Sequence, residues 1–106
     1  MADVKESSQA VELVSPNIGL TVAVVAVGTT ATKLPTTPRT LRKNLTLQNL
    51  GTADVYLGGS GVTTTGSTRG IKLVASATFS MVLGPGVDLY GITASGTVDV
   101  VVLETS

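Results

Sequence analysis

A chain of 106 residues with seven basic and seven acidic side chains fits one domain and carries no formal net charge, so long-range attraction to nucleic acid or an anionic membrane does not govern its encounters. One Phe, two Tyr and no Trp leave few platforms for stacking bases or sugar rings and a core of Val, Leu, Ala and Ile. Without His or Cys, a Ser-His-Asp triad, a thiolate nucleophile, a disulfide and the usual zinc ligands are excluded.

A domain of this size buries roughly two-thirds of the surface of its unfolded chain. With so few aromatic side chains in reserve, the composition predicts stability gained from copies of itself, hence a homo-oligomer.

Residues 1–19 hold three of the seven acids and end in Ser15-Pro16-Asn17-Ile18-Gly19. No apolar stretch of useful length follows the start, so no cleavable signal is expected. Ala10-Val11-Glu12-Leu13-Val14 suits a helical turn or a short strand equally. The segment reads as an N-terminal arm, either frayed or ordered on a partner, with Val11, Leu13 and Val14 as its apolar anchors.

From Leu20 the dominant signal is period two. Leu20, Val22, Val24 and Ala26 share a face; Leu41, Lys43, Leu45 and Leu47 share another, opposite Arg42, Asn44, Thr46 and Gln48. Phe79, Met81 and Leu83 alternate with Ser80 and Val82. Val98, Val100 and Val102 alternate with Asp99, Val101 and Leu103. Side chains of a strand alternate between faces, and branched Val and Thr suit a pleated surface. Glycine and proline divide these runs at Gly28, Pro35-Thr-Thr-Pro38, Asn49-Leu-Gly51, Gly84-Pro-Gly86 and Ser95-Gly96. About seven strands follow: 20–28, 31–34, 40–49, 53–58, 71–74, 78–83 with 87–93, and 97–104. The expected fold is all-β, a small antiparallel β-sandwich or barrel over residues 20–106. The last strand is apolar on both sides, which predicts cover by the fold or an interface. The run 20–27 is too short to cross a bilayer as a helix.

Little here points to catalysis. Asp54, Asp88, Asp99 and Glu104 fall at turn edges or on polar strand faces, where solvated carboxylates belong, and they lack the spacing of a calcium loop. Gly59-Ser-Gly61-Val-Thr-Thr64 begins like a dinucleotide fingerprint, but Thr64 replaces the third glycine and no helix follows to receive a pyrophosphate. A phosphate loop would also need Gly-Lys-Ser/Thr. These glycines read as turn residues, so no cofactor, metal or catalytic residue is expected. Arg39, Arg42 and Lys43 form a mild basic cluster. It reads as a charged edge that discourages wrong pairing, or as a contact for an acidic protein surface.

One resemblance adds to this reading. Leu47-Gln-Asn-Leu-Gly51, Val55-Tyr-Leu-Gly-Gly-Ser-Gly-Val-Thr63, Gly70-Ile-Lys-Leu73, Leu83-Gly-Pro-Gly-Val-Asp-Leu-Tyr-Gly-Ile92 and Gly96-Thr-Val-Asp-Val-Val-Val-Leu-Glu104 follow in order over a little more than half of the chain. In that order and spacing the chain resembles a family of small β-domains among virion structural proteins of tailed bacteriophages. Val74-Ala-Ser-Ala77 departs from it, where relatives place a Pro/Gly turn. The resemblance implies a non-enzymatic capsid decoration (cement) protein. It would be made in the host cytoplasm, be carried on the head surface as a homotrimer, and bind the major capsid protein. The other role implied is a tail or head-fibre module that binds a host-surface glycan; against it, Tyr56 and Tyr90, besides Phe79, are the only aromatic side chains that could serve as ring platforms. No nucleic acid, membrane or small-molecule substrate is expected.

Overall fold

The computed structural model describes residues 19–106, and the arm over residues 1–18, with Val11, Leu13 and Val14, lies outside the described residues. The described chain is all-β. Eight strands, β1 (Leu20–Val27), β2 (Thr32–Leu34), β3 (Asn44–Asn49), β4 (Val55–Gly58), β5 (Ile71–Leu73), β6 (Thr78–Val82), β7 (Leu89–Ile92) and β8 (Val98–Thr105), are joined by turns and one short 3-10 turn at Gly66–Thr68. They build two antiparallel four-stranded sheets, ordered β1-β8-β3-β6 in sheet 1 and β2-β7-β4-β5 in sheet 2.

The pairing has a simple logic. The first strand pairs with the eighth, the second with the seventh, the third with the sixth and the fourth with the fifth. This is one long hairpin, and it is rolled so that β3 also pairs with β8 and β4 with β7. Such a rolled double-sheet sandwich of eight strands is a jelly roll.

The core lies between the sheets. Val25 and Val27 of β1, Leu45 and Leu47 of β3, and Val98, Val100 and Val102 of β8 face Leu34, Val55, Leu57 and Leu73 of sheet 2. Phe79, Met81 and Leu89 are only partly buried at the margin of this aliphatic core. Burial of each Val or Leu contributes about 1.5–3 kcal/mol.

Two sequence expectations change. The run over 78–83 with 87–93 divides at the Gly84-Pro-Gly86 turn into β6 of sheet 1 and β7 of sheet 2, which makes eight strands. The strand expected from residue 40 begins at Asn44, because Leu41 takes a left-handed φ of 61°. A residue at positive φ breaks a strand's alternation, so residues 41–43 do not continue the phase of Leu45 and Leu47. Leu41 is therefore exposed and Arg42 buried, the reverse of the sequence pattern. Leu20, Val22, Val24 and Ala26 do share a face, as their alternation predicts, and it is the outer one, while Val25 and Val27 point inward.

Candidate functional site

The basic cluster resolves into separate roles. Arg42 and Glu104 form an ion pair at 2.8 Å, with side chains 1% and 3% exposed. Arg42 Nε donates to the Leu83 carbonyl at 3.0 Å, and Nη2 donates to the carbonyls of Gly84 (3.3 Å) and Val87. Glu104 in turn accepts the backbone N–H of Arg39 at 3.2 Å on each carboxylate oxygen. A buried guanidinium is tolerated only where its donors and charge are matched, and here both are. The pair clasps the β2–β3 and β6–β7 connections to the end of β8. Arg42 is thus spent inside the fold, a correction to its expected place on a charged surface.

Arg39 and Lys43 stay half-buried near the same end. Arg39 donates from Nε to Ser106 Oγ at 2.9 Å and from Nη1 to Thr21 Oγ1 at 2.6 Å. Lys43 donates its backbone N–H to the Thr105 carbonyl at 2.7 Å. Arg42 and Lys43, which strand alternation already places on opposite faces, do not make one patch with Arg39.

Nor do the acids gather. Asp54 faces Lys72 at 3.9 Å, Asp88 faces Lys33 at 3.8 Å, and Glu104 is committed to Arg42. Among the described residues no group of three His, Cys, Asp or Glu could hold a metal ion.

The glycine-rich loop after β4 folds on itself. Val62 N–H donates to the Gly59 carbonyl, Thr63 N–H to Thr68, Arg69 N–H to Gly66 and Gly70 N–H to Thr63. Thr63 Oγ1 donates to the Thr65 carbonyl at 2.8 Å. These four amides are engaged in closing the loop. A side chain at Gly70 would collide with the Leu57 carbonyl and with Val62, so its absence serves packing. The loop walls an open depression of about 390 Å³ with Arg69 on its rim.

One buried polar residue gave no sequence signal beyond its turn. Asn49 is fully buried. Its Nδ2 donates to the carbonyls of Ala53 (2.8 Å) and Leu73 (3.0 Å), and its Oδ1 accepts Gly51 N–H at 2.8 Å. It ties the end of β3 to the following turn and to β5.

The feature that stands out is on the outer face of sheet 1. Register sets Val22 and Val24 of β1 opposite Leu103 and Val101 of β8, with Leu20 opposite Thr105. Leu20, Val22 and Val24 are 60%, 56% and 60% exposed. The other half of the face is mostly polar, with Thr46 and Ser80 hydroxyls bonded at 3.0 Å and Asn44 Nδ2 donating to Thr105 Oγ1 at 3.2 Å, and it ends in the exposed Val82 opposite Asn44. Between the halves lies a shallow groove of about 240 Å³ lined by Val22, Thr46, Gln48, Thr78, Val101 and Leu103. A contiguous exposed aliphatic stripe of this kind is a candidate interaction surface. Sheet 2 is different. Tyr56 lies opposite Ile92 and between it and Lys72, and Tyr90 lies between Lys33 and Gly58. Period two puts both tyrosines on the outer face, on adjacent strands and one diagonal step apart.

Comparison of the chain with protein-family models finds no match, and no curated protein or solved structure matches it.

Proposed function

We propose that this protein is a non-enzymatic structural protein of a tailed-phage virion, a decoration protein that seats on the outer surface of the head and stabilises it. The observation that carries the reading is the aliphatic stripe in which exposed Leu20, Val22 and Val24 of the uncharged strand β1 adjoin half-buried Val101 and Leu103 of β8. Such a surface gains free energy when a protein partner covers it, and contacts that exist only in the assembled shell stabilise that shell by mass action. The ordered motifs from Leu47 to Glu104 support the virion assignment through their resemblance to small β-domains of tailed-phage virion structural proteins, a resemblance that does not itself choose between head and tail. The jelly roll is compatible with it, since viral capsid and lectin domains use this architecture, an analogy of fold alone. In this proposal the protein self-associates as a trimer on the particle, with the major capsid protein as its second partner.

The test is cosedimentation of purified protein with undecorated heads, followed by imaging of the particles. Saturable binding that places the chain on the head surface supports the proposal. A Val22→Lys, Val24→Lys variant should bind at least about tenfold more weakly, equivalent to roughly 1.4 kcal/mol. Absence of binding to heads, or density at the tail only, would reject it.

The paired outer tyrosines of sheet 2 favour a second reading, a head-fibre or tail module that stacks sugar rings on Tyr56 and Tyr90. A glycan array probed with native protein and a Tyr56→Ala, Tyr90→Ala variant distinguishes the two, because the decoration reading expects no glycan signal from either.

A further inference from the structure

Among the described residues the two sheets have four edge strands, and three of them are guarded. The edges of sheet 2, β2 (Thr-Lys-Leu) and β5 (Ile-Lys-Leu), have three residues each and carry Lys33 and Lys72. One edge of sheet 1, β6, has five residues. Short length and lysine are ordinary devices against unwanted strand pairing. The remaining edge, β1, has eight residues, Leu-Thr-Val-Ala-Val-Val-Ala-Val, with no charge, proline or glycine.

The ladder fixes which backbone groups this edge offers. Gly19 and Ser106 exchange two backbone hydrogen bonds, at 3.2 and 3.0 Å. In the register that continues from them, antiparallel alternation turns the N–H and C=O of Thr21, Ala23, Val25 and Val27 toward β8. Those of Leu20, Val22, Val24 and Ala26 face the open side, where no strand of the described residues meets them.

We propose that β1 pairs antiparallel with β1 of a second copy of this chain, across a two-fold axis at Ala23. A two-fold axis sets a strand edge against itself, so donors meet acceptors with no other surface required. One register engages all four outward residues. It places Leu20 opposite the second copy's Ala26 and Val22 opposite its Val24, and the reverse. Any other register that keeps the same faces together loses at least one of these pairs, and a one-step slip turns each outward face against an inward one. Ala23 then meets its own counterpart in a non-hydrogen-bonded pair, where two strands come closest, and its methyl group suits that approach. Charge does not oppose the contact. The chain carries no formal net charge, and the one charged residue on the outer faces of β1 and β8, Asp99, lies opposite Ala26 and away from the axis. The two copies of sheet 1 become one eight-stranded sheet, in which their aliphatic stripes merge and stay open to a further partner. This contact is separate from the three-fold association proposed for the particle and needs no head. Edge pairing alone makes a small contact, so micromolar strength is expected.

The chain has no Cys, so single cysteines in the full-length protein report the contact. Under mild oxidation at micromolar concentration, Ala23→Cys should form a covalent dimer at least about tenfold faster than Thr21→Cys or Ser80→Cys, because only at the axis do equivalent Cα atoms come within disulfide reach. Sedimentation equilibrium tests the register. Val22→Lys with Val24→Lys sets lysines opposite one another and should weaken dimerisation at least about tenfold, whereas Val22→Lys with Val24→Glu sets lysine opposite glutamate and should restore it to within about threefold of native. A register centred on Val22 would leave lysine opposite lysine in both variants. Native protein that stays monomeric through the micromolar range overturns the proposal, as do equal cross-linking rates for Ala23→Cys and Thr21→Cys. Failure of Val22→Lys with Val24→Glu to restore association overturns it too, since another surface or register then joins the copies. Fast cross-linking of Ser80→Cys assigns the contact to β6 and equally overturns it.

Discussion

Replacing Glu104 by alanine should remove a large share of this domain's stability. The carboxylate is buried, sits 2.8 Å from Arg42 Nη1, and also holds the Arg39 N–H. Its loss strands a guanidinium that is 1% exposed, with three backbone carbonyls but no countercharge. Breaking a buried pair by removing one partner costs about 3–5 kcal/mol, against a total stability of about 5–15 kcal/mol for a small domain. At a urea dependence of about 1.5 kcal/mol per molar, the unfolding midpoint falls by about 2–3 M. Glu104→Gln keeps an acceptor and loses only the charge, so a smaller loss of about 1.5–3 kcal/mol is expected. Arg42→Met combined with Glu104→Leu removes both charges and should be less damaging than Glu104→Ala. Far-ultraviolet circular dichroism in urea is the assay, since the chain has no Trp to report by fluorescence. A loss below about 0.5 kcal/mol for Glu104→Ala, the scale of an ordinary surface substitution, would refute the idea that the clasp holds the two connections to β8.

Four further outcomes follow from particular contacts. Asn49→Ala leaves the Ala53 and Leu73 carbonyls and the Gly51 N–H without their partner, and thermal unfolding should register a loss of about 2–3 kcal/mol. Gly70→Ala drives a methyl into the Leu57 carbonyl, which should cost about 1–3 kcal/mol in a urea titration. Leu41→Gly relieves the φ of 61° at an exposed site; a gain of up to about 1 kcal/mol is expected, and a measurable loss would show that Leu41 packs against something. Sedimentation velocity at micromolar concentration should show self-association of the native protein that Val22→Lys with Val24→Lys reduces while the dichroism spectrum is unchanged.

Much of the architecture was written locally. The alternation of Val98, Val100 and Val102 with Asp99, Val101 and Leu103 is found in the burial of β8, because the two faces of a strand follow directly from the order of its residues. The glycines and prolines marked the connections well enough to give the all-β fold and most strand positions. Period two, however, says which residues share a face and not which face is inside. For β1 both alternating sets are apolar, so only the placement of sheet 2 opposite Val25 and Val27 decided that Leu20, Val22 and Val24 face solvent. At Arg42 the backbone overrode the pattern. One left-handed residue shifted the phase, and Glu104, sixty-two positions away, supplied the countercharge that makes its burial tolerable. Asn49 likewise carried only a turn signal, since the carbonyl of Leu73 reaches it through tertiary pairing alone. Residue order fixes local periodicity and turn chemistry, which act over a few positions. Face selection, the buried ion pair and the open stripe depend on segments far apart in sequence, and only their packing brings those together.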